Sequence, residues 1–231
     1  MAQLEPRLVV LSGVAGTGKS TMVEELVKRV PNAFVLEKDV INQTSMYVRP
    51  TSQGKLPPFE EYVKGDKVFP NNVREVDTPV GKMLQVDPVN EFYGRHGRDQ
   101  AYMIMTGIAE GNLQRGKIPV IDCMVIRQIQ DGTVGKFMEQ KAFSHNPRYL
   151  IHVTADEEEL YSRLLKRSQV DPVATKRYKK QLTSREAFHT FVTETQPLVP
   201  KELSQYRHLL INTSKYTPEE CAHQCLEYIS H

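Results

Sequence analysis

The sequence predicts an α/β fold with a parallel sheet covered by helices on both faces. Short apolar runs of strand length alternate along the chain with longer stretches whose apolar residues recur at helical spacing, the pattern of successive βαβ units. A glycine-rich turn joins the first apolar run to the first helical stripe. The chain has 231 residues, 39% of them hydrophobic, which is enough to bury a core without staples and excludes a disordered or fibrous chain. Its 30 Lys and Arg against 28 Asp and Glu leave a net charge of +2, so bulk electrostatics make no case for a general nucleic-acid or membrane-surface binder.

The first strand is Leu8-Val9-Val10-Leu11. After the glycine-rich turn, Met22, Val23, Leu26, Val27 and Val30 form one helical stripe that stops at Pro31-Asn32. A strand, Ala33-Phe34-Val35-Leu36, and a polar turn, Glu37-Lys38-Asp39, come next. Residues 43–97 are rich in Pro, Gly and charge with no clear period. They are too long for a plain connection, so an insertion covering the substrate is expected there, with small helices of its own.

Order returns with a helical stretch holding Tyr102, Met103, Ile108, Ala109 and Leu113, closed by Gly116, and a strand, Ile118-Pro119-Val120-Ile121, ending on Asp122. A helix around 134–141 leads to the strand Tyr149-Leu150-Ile151-His152-Val153. Asp156 reads as a helix start, followed by Glu157, Glu158 and Glu159 at the positive end of the dipole, in a helix running to about Arg167. A basic segment follows through Lys176, Arg177, Lys179 and Lys180, and Ser184 opens a helix containing Phe188, Phe191 and Val192. Leu209-Leu210-Ile211 is the last strand. Thr217-Pro218-Glu219-Glu220 is a capping box with proline at the first helical position, announcing the last helix.

The apolar run at Leu8–Leu11 is too short for a signal segment, and no run approaches the roughly 18 residues of a membrane span, so a cytoplasmic protein without membrane contact is expected. Three cysteines make no disulfide framework. Cys221 and Cys225, an i,i+4 pair without a second ligand pair nearby, are expected in the core or on the surface rather than on zinc.

The chemistry is concentrated in Gly13-Val14-Ala15-Gly16-Thr17-Gly18-Lys19-Ser20, which fits G-x-x-x-x-G-K-[ST] and is followed by Thr21. Its glycines let the backbone curl so that successive N–H groups face phosphate oxygens, and the next helix adds its positive end. Lys19 then reaches the β- and γ-phosphates, and the Ser20 hydroxyl ligates Mg²⁺. Such a loop implies nucleotide binding without naming the reaction. Ligands of open parallel sheets lie beyond the carboxyl ends of strands, where Asp39 and Asp122 stand. One carboxylate can accept a proton from an attacking hydroxyl and the other can hold Mg²⁺ directly or through water; each also reads as an ordinary turn or cap residue. Arg163 and Arg167 are i,i+4, so both could close on the phosphates from one helix face, or form a solvated basic face paired with Glu157 to Glu159.

The loop, the acid after the second strand, the apolar run ending in Asp122 and the R-x-x-x-R helix with its basic continuation resemble the small P-loop kinases. The most similar group contains the zeta-toxin-like and polynucleotide-kinase-like enzymes, and the resemblance covers residues 7–42 and 99–178. It implies a single domain over residues 1–231 with the three-layer P-loop kinase fold: a five-stranded parallel sheet flanked by helices, an acceptor-binding insertion over 43–97 and a basic lid over 163–183. It also implies Lys19, Asp39, Arg163 and Arg167 as the catalytic set, with Asp39 activating the acceptor hydroxyl. ATP is then expected on Gly13 to Thr21 and Arg163, with Thr213 of Asn212-Thr213-Ser214 close to the adenine, and the metal on Ser20 and Asp122. In the insertion, Arg95 and Arg98 flank His96-Gly97 as candidate acceptor contacts beside Asp39, and Arg49, Lys55 and Arg74 are further cations suited to an anionic acceptor.

Three functions follow as expectations. The first is transfer of the γ-phosphoryl group of Mg-ATP to a hydroxyl of a small-molecule or nucleoside- or nucleotide-like acceptor. The second is a 5′-hydroxyl polynucleotide kinase, which needs a basic groove that the near-neutral charge does not favour. The third is a nucleotide-dependent switch or regulatory ATPase. Such machines place Glu after the Asp of the third strand, whereas Cys123 follows Asp122, and no N-K-x-D signature for guanine is present, so transfer from ATP is preferred.

Overall fold

The computed structural model describes residues 4–45, 47–48, 73–86, 98–123, 138–171, 178–195 and 203–231, with 129, 135, 174 and 175 besides. Its elements run β1 (Leu8–Ser12), α1 (Lys19–Arg29), β2 (Ala33–Glu37), α2 (Lys38–Ser45), β3 (Tyr47–Val48), β4 (Val73–Thr78), β5 (Gly81–Val86) and α3 (Arg98–Leu113). After these come β6 (Ile118–Asp122), β7 (Arg148–Thr154), α4 (Glu157–Val170), α5 (Arg185–Thr195), β8 (His208–Asn212) and α6 (Pro218–Ser230). The chain forms two compact units, one of Met1–Leu36 with Ala109–His231 and the other of Glu37–Ile108. Among the described residues no helix is long and apolar enough to cross a membrane.

The first unit is built on the expected five-stranded parallel sheet, in the order β2-β6-β1-β7-β8. The central strand β1 pairs with β6 (Leu11 opposite Asp122) and with β7 (Ser12 opposite His152), and β7 pairs with β8 (Thr154 opposite Asn212). All five residues of β1 are buried, which is why it reads as a continuous apolar run rather than an alternating one. One face carries Val9, Leu11, Val120, Ile151, Val153 and Ile211, packed under Met22, Val23 and Leu26 of α1 and Cys221, Ala222, Cys225 and Ile229 of α6. Cys225 Sγ lies 3.6 Å from Met22 Sδ, and burial pushes its thiol up to about 12, so this cysteine packs as an apolar residue. The capping box forms as read: Thr217 Oγ1 accepts from the Glu220 N–H at 3.2 Å, and Glu220 accepts from the Thr217 N–H at 2.8 Å.

The second unit adds strands that the sequence reading did not anticipate. Within 43–97 the described residues are the end of α2 and a three-stranded antiparallel sheet in the order β3-β5-β4; residues 46, 49–72 and 87–97, on which the expected small helices also fall, lie outside the described residues. The β4–β5 hairpin turns on Pro79-Val80, with Thr78 opposite Gly81 and the Thr78 hydroxyl donating to the Gly81 carbonyl at 2.6 Å. Pro-Val is not one of the residue pairs that announce a two-residue hairpin, so local chemistry hid the turn. The polar turn at Glu37-Lys38-Asp39 is corrected. Helix α2 begins at Lys38 directly after β2, with Asp39 in its first turn, where the helix dipole favours an acid.

Helix α3 buries Ala101, Met105, Ala109 and Leu113, one residue in four, while Met103 stands 73% exposed and Ile104 and Ile108 are also exposed. Of the residues read into this helix, Ala109 and Leu113 lie on its buried face, Tyr102 is half-buried, and Met103 and Ile108 are exposed. Of the helix expected around 134–141, residues 134, 136 and 137 lie outside the described residues; 135 and 138 are helical, and Lys141–Phe143 form a 3-10 turn. Helix α4 continues three residues beyond Arg167, to Val170.

Candidate nucleotide-binding site

The loop between β1 and α1 is shaped by its contacts with β7 and α4. Gly13 has φ +141°, and a Cβ there would lie 2.2 Å from the Val153 carbonyl oxygen, so only glycine brings the loop this close to β7. Gly16 has φ +87°, and a Cβ would meet Leu160 at 2.9 Å and Leu164 at 3.0 Å, the buried face of α4. Val14 and Thr17 are buried, and Thr17 Oγ1 donates to the Val14 carbonyl at 2.8 Å.

Within the loop, donors converge. Lys19 Nζ donates to the carbonyls of Gly13 at 2.7 Å and Val14 at 3.0 Å, and the Thr17 N–H reaches the same Val14 oxygen at 3.4 Å. An ammonium and a backbone N–H turned inward on two carbonyls form the arrangement that an anion with several oxygens can take over. Ser20 and Thr21 at the start of α1 are exposed, and Ala15 is half-buried. Ser20 Oγ donates to Asp122 Oδ2 at 2.9 Å, because β6 lies beside β1 and ends opposite Leu11, two residues before the loop. A hydroxyl and a carboxylate at an exposed position are hard oxygen donors, the set that Mg²⁺ prefers alongside phosphate oxygens. The residue after Asp122, Cys123, is buried, and its N–H donates to the Leu11 carbonyl at 3.3 Å.

Arg163 and Arg167 take different partners. Arg163 Nε donates to Glu159 Oε1 at 2.8 Å, as the solvated-face reading expected. Its two other nitrogens reach the loop and the end of β8: Nη1 lies 3.4 Å from the Gly16 carbonyl and 2.8 Å from Thr213 Oγ1, and Nη2 lies 3.2 Å from the Thr213 carbonyl. Arg167 pairs with Asp171 at 3.3 Å and is half exposed. Asp39 is exposed in α2 of the second unit, where Lys38 Nζ sits 4.8 Å from the centre of the Tyr102 ring. Arg98 opens α3; its side chain, like the whole of Arg95, His96, Arg49, Lys55, Lys176 and Arg177, lies outside the described residues.

Two groups escaped the sequence reading. Asp156 does not cap α4 with its side chain. Asp156 Oδ1 accepts from Asn212 Nδ2 at 2.8 Å, the Asp156 N–H donates to Ser214 Oγ at 2.8 Å, and the Ser214 N–H donates to Asn212 Oδ1 at 2.9 Å. The residue types were a signal, since Asn, Asp and Ser at strand ends bond to nearby backbone. The second is His152, 2% exposed on β7 opposite Ser12; burial first, then the nearby charges of Lys19 and His208, lower its pKa to about 4.

A family model described as AAA domain matches residues 8–188. No curated protein matches the sequence. Among solved structures, a kinase candidate from Chloroflexus aurantiacus has a TM-score of 0.53 at 13% identity, covering 99% of this chain and 98% of that one. The tunicamycin resistance protein of Deinococcus radiodurans has a TM-score of 0.53 at 11% identity, over 97% and 95% of the two chains. Shikimate kinase from Acinetobacter baumannii, solved with shikimate, has 0.51 at 12%, over 97% and 93%. At these identities the likeness shows the fold.

Proposed function

The chain belongs to the AAA domain family, and from that premise we propose that it is an ATP-dependent phosphotransferase acting on a hydroxyl of a small-molecule or nucleoside- or nucleotide-like acceptor. The observation that carries this reading is the 2.9 Å bond between Ser20 and Asp122 beside the loop, with a buried cysteine following Asp122 where a hydrolytic machine needs a second acid to activate water. The resemblance to the zeta-toxin-like and polynucleotide-kinase-like enzymes, through the loop, Asp39, Asp122 and the R-x-x-x-R helix, supports the same class.

In this reading Lys19 leaves the carbonyls of Gly13 and Val14 for the β- and γ-phosphates. Gly13 to Thr21 supply the N–H cradle. Ser20 and Asp122 would hold Mg²⁺, which offsets phosphate charge when bound. Asp39 accepts the proton of the acceptor hydroxyl as its oxygen attacks the γ-phosphorus; the bond to the β,γ-bridging oxygen breaks and ADP departs. Arg167, half exposed on α4, is the guanidinium suited to the phosphoryl oxygens, with Arg95 and Arg98 as acceptor contacts. The deciding experiment incubates the protein with γ-labelled ATP, Mg²⁺ and a panel of hydroxyl compounds that includes sugars, nucleosides and 5′-hydroxyl oligonucleotides. Label on a small acceptor supports the proposal. Label on the oligonucleotide alone selects the polynucleotide reading, and release of phosphate regardless of acceptor selects the ATPase.

A further inference from the structure

The Gly16 and Thr17 carbonyls of the loop are held by a network that joins four parts of the chain. Thr213 Oγ1 donates to the Thr17 carbonyl at 2.7 Å and accepts from Arg163 Nη1 at 2.8 Å, while the same Nη1 reaches the Gly16 carbonyl at 3.4 Å. Arg163 Nη2 donates to the Thr213 carbonyl at 3.2 Å, so the guanidinium grips both oxygens of Thr213. A Cβ on Gly18 would lie only 3.5 Å from Arg163 and 3.6 Å from Thr213, which places the pair flush against the loop.

Thr213 is itself fixed. Its N–H donates to the Thr154 carbonyl at 3.0 Å, and the residues on either side of it are tied to Asp156 through Asn212 Nδ2 and Ser214 Oγ. The loop is thus referenced to the ends of β7 and β8 rather than left to its own glycines.

The consequence follows from peptide geometry. In a trans peptide the carbonyl and the next N–H point in opposite directions. Binding the Gly16 and Thr17 carbonyls from outside turns the N–H groups of Thr17 and Gly18 to the inner side, where the Thr17 N–H already lies 3.4 Å from the Val14 oxygen. We propose that Thr213, acting with Arg163, is a positioning residue that orients the N–H groups of the loop toward a triphosphate, and that it does not read the nucleoside. This proposal rests on the nucleotide-binding reading above. It gives Thr213 a role different from the adenine contact that the resemblance implies.

The test measures Mg²⁺-dependent binding of ATP, GTP and inorganic tripolyphosphate to the full chain by calorimetry. Thr213→Val keeps the shape and removes the hydroxyl. It should weaken ATP and tripolyphosphate by the same factor, about tenfold, and leave the ATP-to-GTP preference unchanged. Thr213→Ser, which retains the donor, should bind within about twofold of wild type. Arg163→Lys keeps the charge but cannot bridge Gly16 and Thr213, so it should show the same parallel loss and decides the matter if Thr213→Val fails to fold. A loss confined to ATP, a changed ATP-to-GTP preference, or unaltered binding of both probes overturns the proposal. Wild type binding neither probe, like Lys19→Ala, overturns the nucleotide reading itself and the positioning role with it.

Discussion

Gly13 and Val153 approach so closely that a β-carbon on the first would lie 2.2 Å from the carbonyl oxygen of the second. The first residue of the phosphate loop is therefore also a contact of the central sheet. Gly13→Ala should destabilise the protein by about 3 kcal/mol or more, through the clash with fixed backbone and the cost of an alanine at φ +141°. A Cβ on Gly107, exposed in α3, would meet nothing within 4 Å, and Gly107→Ala should be neutral or stabilising by up to about 1 kcal/mol. Urea unfolding of the two variants beside wild type checks both values.

The bond between Ser20 and Asp122 predicts a metal-linked effect. Ser20→Ala and Asp122→Asn should each weaken nucleotide binding about tenfold or more in the presence of Mg²⁺, and much less in EDTA. Titration with ATP under both conditions separates these outcomes. An equal loss in EDTA would assign the pair to loop structure instead.

Under the proposed function, Asp39 serves the reaction rather than nucleotide capture. Asp39→Asn should lower turnover about 10²- to 10⁴-fold while ATP affinity stays within about twofold of wild type. Single-turnover transfer with the acceptor found by the label screen, run alongside equilibrium ATP binding, measures the two effects independently. Normal turnover in this variant removes Asp39 as the base.

Burial of His152 should make the protein acid-sensitive. Its pKa in the fold, about 4, lies below the ordinary value of 6.5, so the unfolded chain binds more protons between these limits. The stability gained from keeping the imidazole neutral is complete above about pH 6.5 and is lost as pH falls toward 4, with about 2 kcal/mol going between pH 7 and pH 5. In urea unfolding at these two pH values, His152→Leu should lose a correspondingly smaller amount of stability on acidification. An unchanged difference would locate the acid sensitivity elsewhere.

Much of the frame was legible because its signals are local. The stripe of Met22, Val23 and Leu26 occupies the face it implied, and Thr217 and Glu220 cap α6 as their spacing required. Signals weakened where the informative residues were small or common. Ala101, on the buried face of α3, carries little hydrophobic weight beside the exposed Met103 and Ile108, and the Pro79-Val80 turn lacks the glycine or asparagine that marks a tight hairpin. In the site, the loop from Gly13 to Ser20 was visible as a motif, whereas Asp156, which starts α4 as read, also bonds the Asn212 amide, a partner 56 residues away that local spacing does not reveal.

By itself, the sequence determined the phosphate loop, the strands that end near it and the caps of the helices, since periodicity and turn chemistry act over a few residues. Only the tertiary structure decided which side chains meet. Ser20 reaches Asp122 because β6 inserts between β2 and β1, and Arg163 reaches Gly16 and Thr213 because β7 lies between β1 and β8. Strand order is set by how the faces of the whole sheet are buried. Two arginines one helical turn apart, equivalent in the sequence, therefore acquire separate partners when the sheet brings the loop and the end of β8 to only one of them.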